Sequence, residues 1–241
     1  MKIALIGYGK MGKTIEALAK QQNHEIIITI DADNLADLKS ELFKSADVAI
    51  EFTQPDQAFN NIMACFDVGI PVVCGTTGWY DSLDKLTEVC QRKNGALLYA
   101  SNFSIGVNIF FVLNKFLAKQ MSHYSDYEVS MIETHHTAKL DAPSGTAISL
   151  AEDLIHNHPR YESWSKGEKK IDNTIPVLSV RENPAPGKHE IIYTSDIDEI
   201  KISHEAFNRN GFASGAVYAA NWLKDKKGIF HFADVLALQF G

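Results

Sequence analysis

Short apolar runs alternate with helical patterns over the first hundred residues of the chain. The runs are apolar throughout, which is typical of strands that are buried on both faces of a sheet. We predict strands at residues 2–6, 24–30, 47–52, 71–74 and 96–100, and helices at 11–21, 57–68 and 81–93. Strands and helices in this order favour βαβ units around a parallel sheet.

The pattern changes after Gly106. A helix at 107–121 leads to an alternating strand at 126–133, a polar loop and a helix at 144–158. Strands at 174–181, 189–195 and 199–204 predict an antiparallel or mixed sheet. The polar, lysine-containing stretch 161–173 predicts exposed surface. The last helix, 215–223, and the apolar tail, 230–240, are expected to pack back against the first half.

Composition and charge exclude several classes of protein. The 241 residues include 23 Lys+Arg and 30 Asp+Glu, so the net charge is −7, which argues against nucleic acid as the main partner. No apolar run reaches the roughly 18 residues of a membrane span, and no export signal is visible, so we expect a cytoplasmic protein without a membrane partner. Three cysteines without a CxxC pair fit reduced thiols.

A glycine-rich loop follows the first predicted strand and opens a helix. Its residues are Gly7, Tyr8, Gly9, Lys10, Met11 and Gly12, a GxGxxG pattern. In this context the pattern indicates a dinucleotide site, because glycines let the backbone approach a pyrophosphate at the helix start. A tight turn without a ligand would use the same residues.

Asp31 ends the second predicted strand, 19 residues after Gly12. This is close to the spacing of about 20 residues expected for an acid that binds a ribose 2′-hydroxyl. A carboxylate there would repel a 2′-phosphate, which favours NADH over NADPH. Its alternative role is to cap the next helix or turn.

Two further loops follow predicted strands, where open α/β sheets bind ligands. One contains Phe52 and Thr53, and the other contains Gly75, Thr76 and Thr77. Each could equally be an ordinary strand-to-helix connection.

The stretch from Glu133 to Ala147 concentrates chemistry in a predicted polar loop, with two histidines, a lysine and a Ser-Gly-Thr helix start. Adjacent histidines on an extended chain point to opposite faces, and no third ligand has regular spacing, so we predict no metal site. Two interpretations stay open. One is a solvated loop before a capped helix. The other is an anion site that also moves a proton, with Lys139 and helix amides holding a carboxylate.

The motif His135-His136-x-x-Lys139-x-Asp-Ala-Pro-Ser144-Gly145-Thr146-Ala closely resembles the signature of the 4-hydroxy-tetrahydrodipicolinate reductase (dihydrodipicolinate reductase) family of lysine and diaminopimelate biosynthesis. Similar blocks occur in the same order along the chain: Gly9 to Gly12, Glu51 to Pro55, Gly75 to Gly78, Ala100 to Asn108, His204 to Arg209 and Phe212 to Ala216. The resemblance therefore spans nearly the whole chain.

Two departures from the family pattern lie near the cofactor. The glycine loop has one residue fewer between its first glycines, with Lys10 where arginine is usual. The segment between Asp31 and Asp47 is shorter than in longer members, so a strand-helix unit is missing. Both departures bear on cofactor preference.

The resemblance implies an α/β fold with a Rossmann-like dinucleotide-binding domain, residues 1–106 and 210–241. This domain is interrupted by a mixed α+β substrate and oligomerisation domain, residues 107–209. It also implies a homotetramer and an NAD(P)H-dependent oxidoreductase whose substrate is a small cyclic dicarboxylate. We expect NADH to be preferred and NADPH to be usable.

The resemblance also implies roles for single residues. His135 would be the general acid, and Lys139 would position and stabilise the substrate ring. His136, Ser144, Gly145 and Thr146 would hold a carboxylate. The cofactor would contact the glycine loop, Asp31, Phe52, Thr53, Gly75, Thr76, Thr77, Ser101, Asn102 and Phe103.

Three other classes of nicotinamide-binding protein differ from this sequence in their requirements. A short-chain dehydrogenase needs Tyr-x-x-x-Lys, which is absent. An aldehyde dehydrogenase needs an exposed nucleophilic cysteine, whereas Cys74 ends an apolar run and is expected to be buried. A non-catalytic nicotinamide-binding sensor would share the first domain, but it would not need a proton donor beside an anion site.

Overall fold

The computed structural model describes residues 1–169, 171–208 and 210–237. Lys170 of the predicted polar stretch, Arg209 at the predicted domain boundary and residues 238–241, which end the predicted apolar tail, lie outside the described residues. The chain divides into two compact units. One contains Met1–Ile105 and the described residues from Asn210 onward, and the other begins at Gly106 and extends to residue 208.

The first unit is built on six parallel strands. They are β1 (Lys2–Ile6), β2 (Glu25–Ile30), β3 (Val48–Glu51), β4 (Val72–Cys74), β5 (Ala96–Tyr99) and, near the end of the chain, β11 (Gly228–His231). The helices of this unit are α1 (Lys10–Gln21), α2 (Glu41–Lys44), α3 (Pro55–Val68), α4 (Leu83–Lys93), α7 (Asn210–Leu223) and α8 (Phe232–Val235).

The strand order in this sheet is β11-β5-β4-β3-β1-β2. All five pairs are parallel, as the buried apolar runs predict. Between Asp31 and Asp47 the chain forms a short 3₁₀ helix (Leu35–Lys39) and α2 rather than a strand, so β2 lies at the edge of the sheet. Because the strands are parallel, the loops after β1, β3, β4 and β5 emerge at the same edge.

Alternate residues of β1 supply the two faces of the sheet. Ile3 and Leu5 pack in one buried cluster with α1 and α7, whereas Ala4 and Ile6 pack in another with α3 and α4. The first unit is therefore a sheet with helices on both faces, the Rossmann-like arrangement expected from the sequence.

The start of α7 differs from the prediction. The helix begins at Asn210 rather than at residue 215, so Gly215 lies inside it. A side chain at Gly215 would collide with the carbonyl oxygen of Phe103. Glycine is usually a helix breaker, but here it allows the helix to approach a neighbouring loop.

The second unit contains a mixed five-stranded sheet and two helices. Its elements are α5 (Ile105–Met121), β6 (Glu128–His135), α6 (Gly145–Asn157), β7 (Ser163–Lys166), β8 (Thr174–Arg181), β9 (Gly187–Thr194) and β10 (Glu199–Ala206). The strand order is β10-β9-β6-β8-β7, with β6 antiparallel to β9 and parallel to β8. Val129 and Met131 of β6 pack in one buried cluster with residues of α5 and α6.

The prediction that residues 161–173 form exposed surface is wrong for the first residues of this stretch. Tyr161 is buried, and its hydroxyl oxygen accepts a hydrogen bond of 2.9 Å from the amide of Val129. Ser163–Lys166 then form β7, which extends the sheet beside β8. Trp164 packs against the core cluster, which ties this otherwise polar segment to the sheet.

None of the helices in the described ranges is both long and apolar enough to cross a membrane. Cys65, Cys74 and Cys90 are buried and form no disulfide. Burial raises the pKa of the Cys74 thiol well above its usual value, with the carboxylate of Glu51 as a second cause. Cys74 is therefore a poor nucleophile, as its place in an apolar run predicts.

Candidate active site

The glycine loop after β1 has the geometry that a dinucleotide requires. Gly7 has a φ of +94°, and a side chain there would collide with the backbone of Phe52. A side chain at Gly12 would collide with the carbonyl oxygen of Gly7. By contrast, a Cβ at Gly9, the residue before α1, would meet no atom within 4 Å. The loop is closed toward the protein and open at Gly9, the arrangement needed for a close approach to phosphates.

A cavity of about 380 Å³ lies beside this loop, within the first unit. Six predicted cofactor residues line it: Gly7, Tyr8, Gly9, Asp31, Phe52 and Thr53. Sequence reasoning missed several others that also line it: Ile6, Ile30, Ala32, Leu35, Gln54, Gln57 and Asn61. A mainly apolar cavity with a carboxylate at one end fits the adenosine part of a dinucleotide.

Asp31 is held by backbone amides. Its Oδ2 accepts a hydrogen bond of 3.3 Å from the amide of Tyr8, and its Oδ1 accepts one of 2.9 Å from the amide of Ala32. The carboxylate is thereby fixed next to the glycine loop. Beside the same loop, Nζ of Lys13 lies over the ring of Tyr8, 5.7 Å from its centroid.

The other predicted cofactor residues lie in loops around the same sheet edge. Thr76 is buried, and its hydroxyl oxygen accepts a hydrogen bond of 2.8 Å from the amide of Thr53. A side chain at Gly75 would collide with the ring of Phe52. Phe103 is buried, and its ring centroid lies 5.9 Å from that of Phe52. Thr77 and Ser101 are exposed. Lys10 and Met11 form the first turn of α1. Thr76 therefore holds two of these loops together.

His135 does not lie in the loop that the sequence predicts. It is the last residue of β6, which extends two residues further than expected, and it is directly opposite Arg181 on β8. Alternate residues of β6 face the same side of the sheet, so Val129, Met131, Glu133 and His135 share one face. A carboxylate and an imidazole thus continue an otherwise apolar row.

Glu133 is only 1% exposed and has several partners. Arg181 Nη2 donates a hydrogen bond of 2.9 Å to Oε1, and the amide of Ser144 lies 3.1 Å from both carboxylate oxygens. Burial acts to raise the pKa of Glu133, but the neighbouring His135 ring and hydrogen bonds from Ser144, Ser179 and Arg181 outweigh it and hold the pKa well below its usual value. Glu133 is therefore ionised at neutral pH.

His135 lies against this carboxylate. Its Nδ1 is 3.3 Å from Oε2 of Glu133, which is within ion-pair distance although poorly aligned for a hydrogen bond. The Nε2 atom lies on the side of Gly187, where a Cβ would come within 3.2 Å of it. His135 is thus a buried imidazole with an anion at one nitrogen.

The start of α6 follows the same loop. Ser144 is the N-cap residue, and its hydroxyl oxygen accepts a hydrogen bond of 3.2 Å from the amide of Ala147. The amide of Ser144 already donates to Glu133. Gly145 and Thr146 supply the first amides of the helix, which have no acceptor within the helix. These amides and the helix dipole favour an anion.

Lys139 forms an ion pair with Asp141, with Nζ 2.9 Å from Oδ2. The lysine ammonium holds the pKa of the Asp141 carboxyl below its usual value. His136 is half-buried, and its carbonyl oxygen accepts a hydrogen bond from the amide of Lys139. Arg181 fixes the same loop through a 2.7 Å hydrogen bond to the carbonyl oxygen of Asp141.

The structure also supplies a third potential ligand that sequence spacing did not show. His189 on β9 is buried, and its Nε2 lies 3.9 Å from Oε2 of Glu133 and 3.2 Å from Oγ of Ser144. Glu133, His135 and His189 each offer one possible ligand atom, and these three atoms lie within 4.8 Å of one another. These three residues could therefore hold a metal ion that sequence spacing did not predict, but Arg181 already supplies a positive charge to this carboxylate.

Sequence reasoning assigned no role to Glu133, Arg181 or His189. One signal was available: Glu133 occupies a position of β6 that alternates with the buried residues Val129 and Met131. The other two come from different strands, and only the sheet register brings them together.

Comparisons with known proteins agree across the whole chain. Residues 1–103 match the family profile described as dihydrodipicolinate reductase, N-terminus, and residues 106–236 match the profile for its C-terminus. A 4-hydroxy-tetrahydrodipicolinate reductase of Christiangramia forsetii is 48% identical over 241 residues, with 98% of each chain covered. One from Rickettsia bellii is 36% identical, with 94% of this chain and 90% of the relative covered.

A solved structure gives the same result. The dipicolinate-bound dihydrodipicolinate reductase of Paenisporosarcina sp. TG-14 superimposes with a TM-score of 0.76 at 26% identity, covering 97% of this chain and 98% of that chain. The chain therefore belongs to the dihydrodipicolinate reductase family, pyridine-nucleotide-dependent oxidoreductases that reduce 4-hydroxy-tetrahydrodipicolinate in lysine and diaminopimelate biosynthesis.

Proposed function

We propose that His135 is the proton donor of this reduction and that Lys139 binds and stabilises the dicarboxylate substrate. The observation that carries the proposal is the position of His135, whose Nδ1 lies 3.3 Å from the ionised carboxylate of Glu133 at the end of β6. A carboxylate at one imidazole nitrogen orients the ring so that the other nitrogen can take part in proton transfer.

A carboxylate of the substrate would bind at the start of α6. The amides of Gly145 and Thr146 supply hydrogen bonds and a favourable dipole there. Ser144 contributes by capping the helix, and His136 lies in the preceding loop. Lys139 would exchange its partner Asp141 for the substrate, because the exposed pair with Asp141 is weak.

The cofactor would be held by the glycine loop and the neighbouring loops of the first unit. Loss of water from 4-hydroxy-tetrahydrodipicolinate gives a conjugated cyclic imine, and a bound reduced nicotinamide would supply a hydride to C4 of that ring. The amides at the start of α1 would face the pyrophosphate, and Asp31 would accept hydrogen bonds from the adenosine ribose. Phe52, Thr53, Gly75, Thr76, Thr77 and the loop from Ser101 to Phe103 would complete the site.

Hydride addition moves electron density toward the ring nitrogen and C3, so a proton must be supplied to complete the reduction. His135 would deliver this proton from Nε2, because Nδ1 faces Glu133. The ammonium of Lys139 would stabilise the charge that develops on the ring.

We also propose that NADH is preferred and NADPH is usable. The carboxylate of Asp31 disfavours a 2′-phosphate, whereas the ammonium groups of Lys10 and Lys13 in the first turn of α1 would favour one. A cytoplasmic homotetramer is our prediction from the family resemblance.

One assay separates this function from that of a nicotinamide-binding sensor. The substrate is generated enzymatically in place, and oxidation of NADH is followed by absorbance. Turnover that depends on the substrate-generating enzyme supports the proposal. NADH binding without turnover would favour the sensor.

A further inference from the structure

A row of polar side chains crosses the helix-covered face of the second sheet. Glu133 on β6 is directly opposite Ser179 on β8 and His189 on β9, and His189 is opposite His204 on β10. Side chains that are directly opposite on neighbouring strands project from the same face. Glu133 thus lies at the centre of this row, two residues before His135.

A carboxylate at this depth requires compensation. Burying an ion is unfavourable unless protein partners replace the water that it loses. Arg181 supplies the compensating charge, and the amide of Ser144 supplies a further hydrogen bond. The same guanidinium reaches the carbonyl oxygen of Asp141. Glu133 and Arg181 together therefore fix the part of the loop between Lys139 and α6.

A further partner of Glu133 is the imidazole of His135. The carboxylate lies 3.3 Å from Nδ1, so it favours a proton on that nitrogen and directs Nε2 toward Gly187. An alanine Cβ at position 187 would come within 3.3 Å of both Nε2 and Cδ2. Glycine keeps the space beside Nε2 clear.

We propose that Glu133 is a positioning residue, which orients the His135 ring and connects it to the start of α6. This inference rests on the proposed role of His135. It assigns Glu133 no contact with the substrate. One carboxylate would hold Nδ1 of His135, which leaves Nε2 as the nitrogen that donates the proton, and would also fix the Ser144 amide. Proton donor and anion site would then be held in fixed register.

The alternative occupant of this cluster is a metal ion held by Glu133, His135 and His189. Arg181 argues against it, because its Nη2 lies 2.9 Å from Oε1 of the same carboxylate and would be repelled by a divalent cation. Metal analysis of the purified protein is therefore part of the test.

The test compares Glu133→Gln with Glu128→Gln. Both glutamates lie on β6, but Glu128 is at the other end and forms a surface ion pair with Arg160. Glu133→Gln is expected to lower kcat by about 10-fold or more, with the KM for NADH changed less than about twofold. Glu128→Gln should behave like the wild type. Glu133→Asp keeps the negative charge that pairs with Arg181 but has a shorter side chain. This variant replaces Glu133→Gln in the test if Glu133→Gln does not fold.

The second readout does not depend on activity. In ¹⁵N-histidine NMR spectra, the neutral His135 ring should carry its proton on Nδ1 in the wild type and become a mixture of tautomers in the Glu133 variants. Loss of the His135 signals in His135→Gln identifies them.

Unchanged kcat or an unchanged tautomer in the Glu133 variants would overturn the inference, as would a stoichiometric metal ion. Full activity of His135→Gln would instead overturn the proposed function, while the NMR result would still decide whether Glu133 orients the ring.

Discussion

His189 on β9 lies directly opposite Glu133 on β6, with Nε2 3.9 Å from Oε2 of a carboxylate whose Oε1 is paired with Arg181. Burial lowers the pKa of His189 to about 4, helped by the nearby charges of His135, His204 and Lys139, while Glu133 acts in the opposite direction. The imidazole is therefore neutral in the folded protein at neutral pH.

The first prediction is a loss of stability in acid. In the unfolded chain His189 binds a proton near pH 6.5, whereas the folded protein resists protonation down to about pH 4. Between these values the unfolded state binds more protons, so the free energy of unfolding should fall as the pH falls. The contribution of His189 amounts to about 3 kcal/mol at most.

Urea unfolding across this pH window measures the effect. His189→Asn should lower the slope of the unfolding free energy against pH by an amount equivalent to at most one proton. His123→Asn, at an exposed position, should leave this slope unchanged. Equal slopes for the His189 variant and the wild type would show that this ring is not buried as a neutral group.

The second prediction concerns Lys139. Lys139→Ala should lower kcat and weaken dicarboxylate binding by about 10- to 100-fold, because a charge-assisted hydrogen bond is lost. Inhibition by dipicolinate and by the monocarboxylate picolinate measures binding. Lys119→Ala, on the surface of α5, is the matched control. Unchanged affinity for both inhibitors in Lys139→Ala would remove Lys139 from the site.

The third prediction concerns the cofactor. A carboxylate about 4 Å from a phosphate costs a few kcal/mol at an effective dielectric near 20, and a nearby ammonium recovers part of it. We expect kcat/KM to be higher with NADH than with NADPH, and Asp31→Ser should narrow or reverse the ratio. Asp33→Ser, two residues away and exposed, is the control. If only the Asp33 variant changes the ratio, Asp31 does not face the ribose.

The sequence predicted local features better than long-range ones. The glycine loop, Asp31 at the end of β2 and the capped start of α6 depend on neighbouring residues, so patterns in the chain reveal them. The pairing of Glu133 with Arg181 and His189 depends on strand register in a mixed sheet, which periodicity does not supply.

Two errors have the same physical origin. The end of β6 is polar because its side chains bind one another, so His135 was expected in a loop. The pattern predicted a helix only from residue 215, whereas α7 begins at Asn210 and contains Gly215, which is required for close packing against Phe103. In both places a tertiary contact outweighs local propensity.

The most direct measurement is the turnover of His135→Gln in the nicotinamide absorbance assay, with the substrate generated in place and dipicolinate binding measured in parallel. The wild type should oxidise NADH only when substrate is formed. His135→Gln should lower kcat by about 10²- to 10⁴-fold with a much smaller change in KM, because a general acid acts on the transition state. A variant that keeps the wild-type kcat would contradict the assignment of His135 as the proton donor.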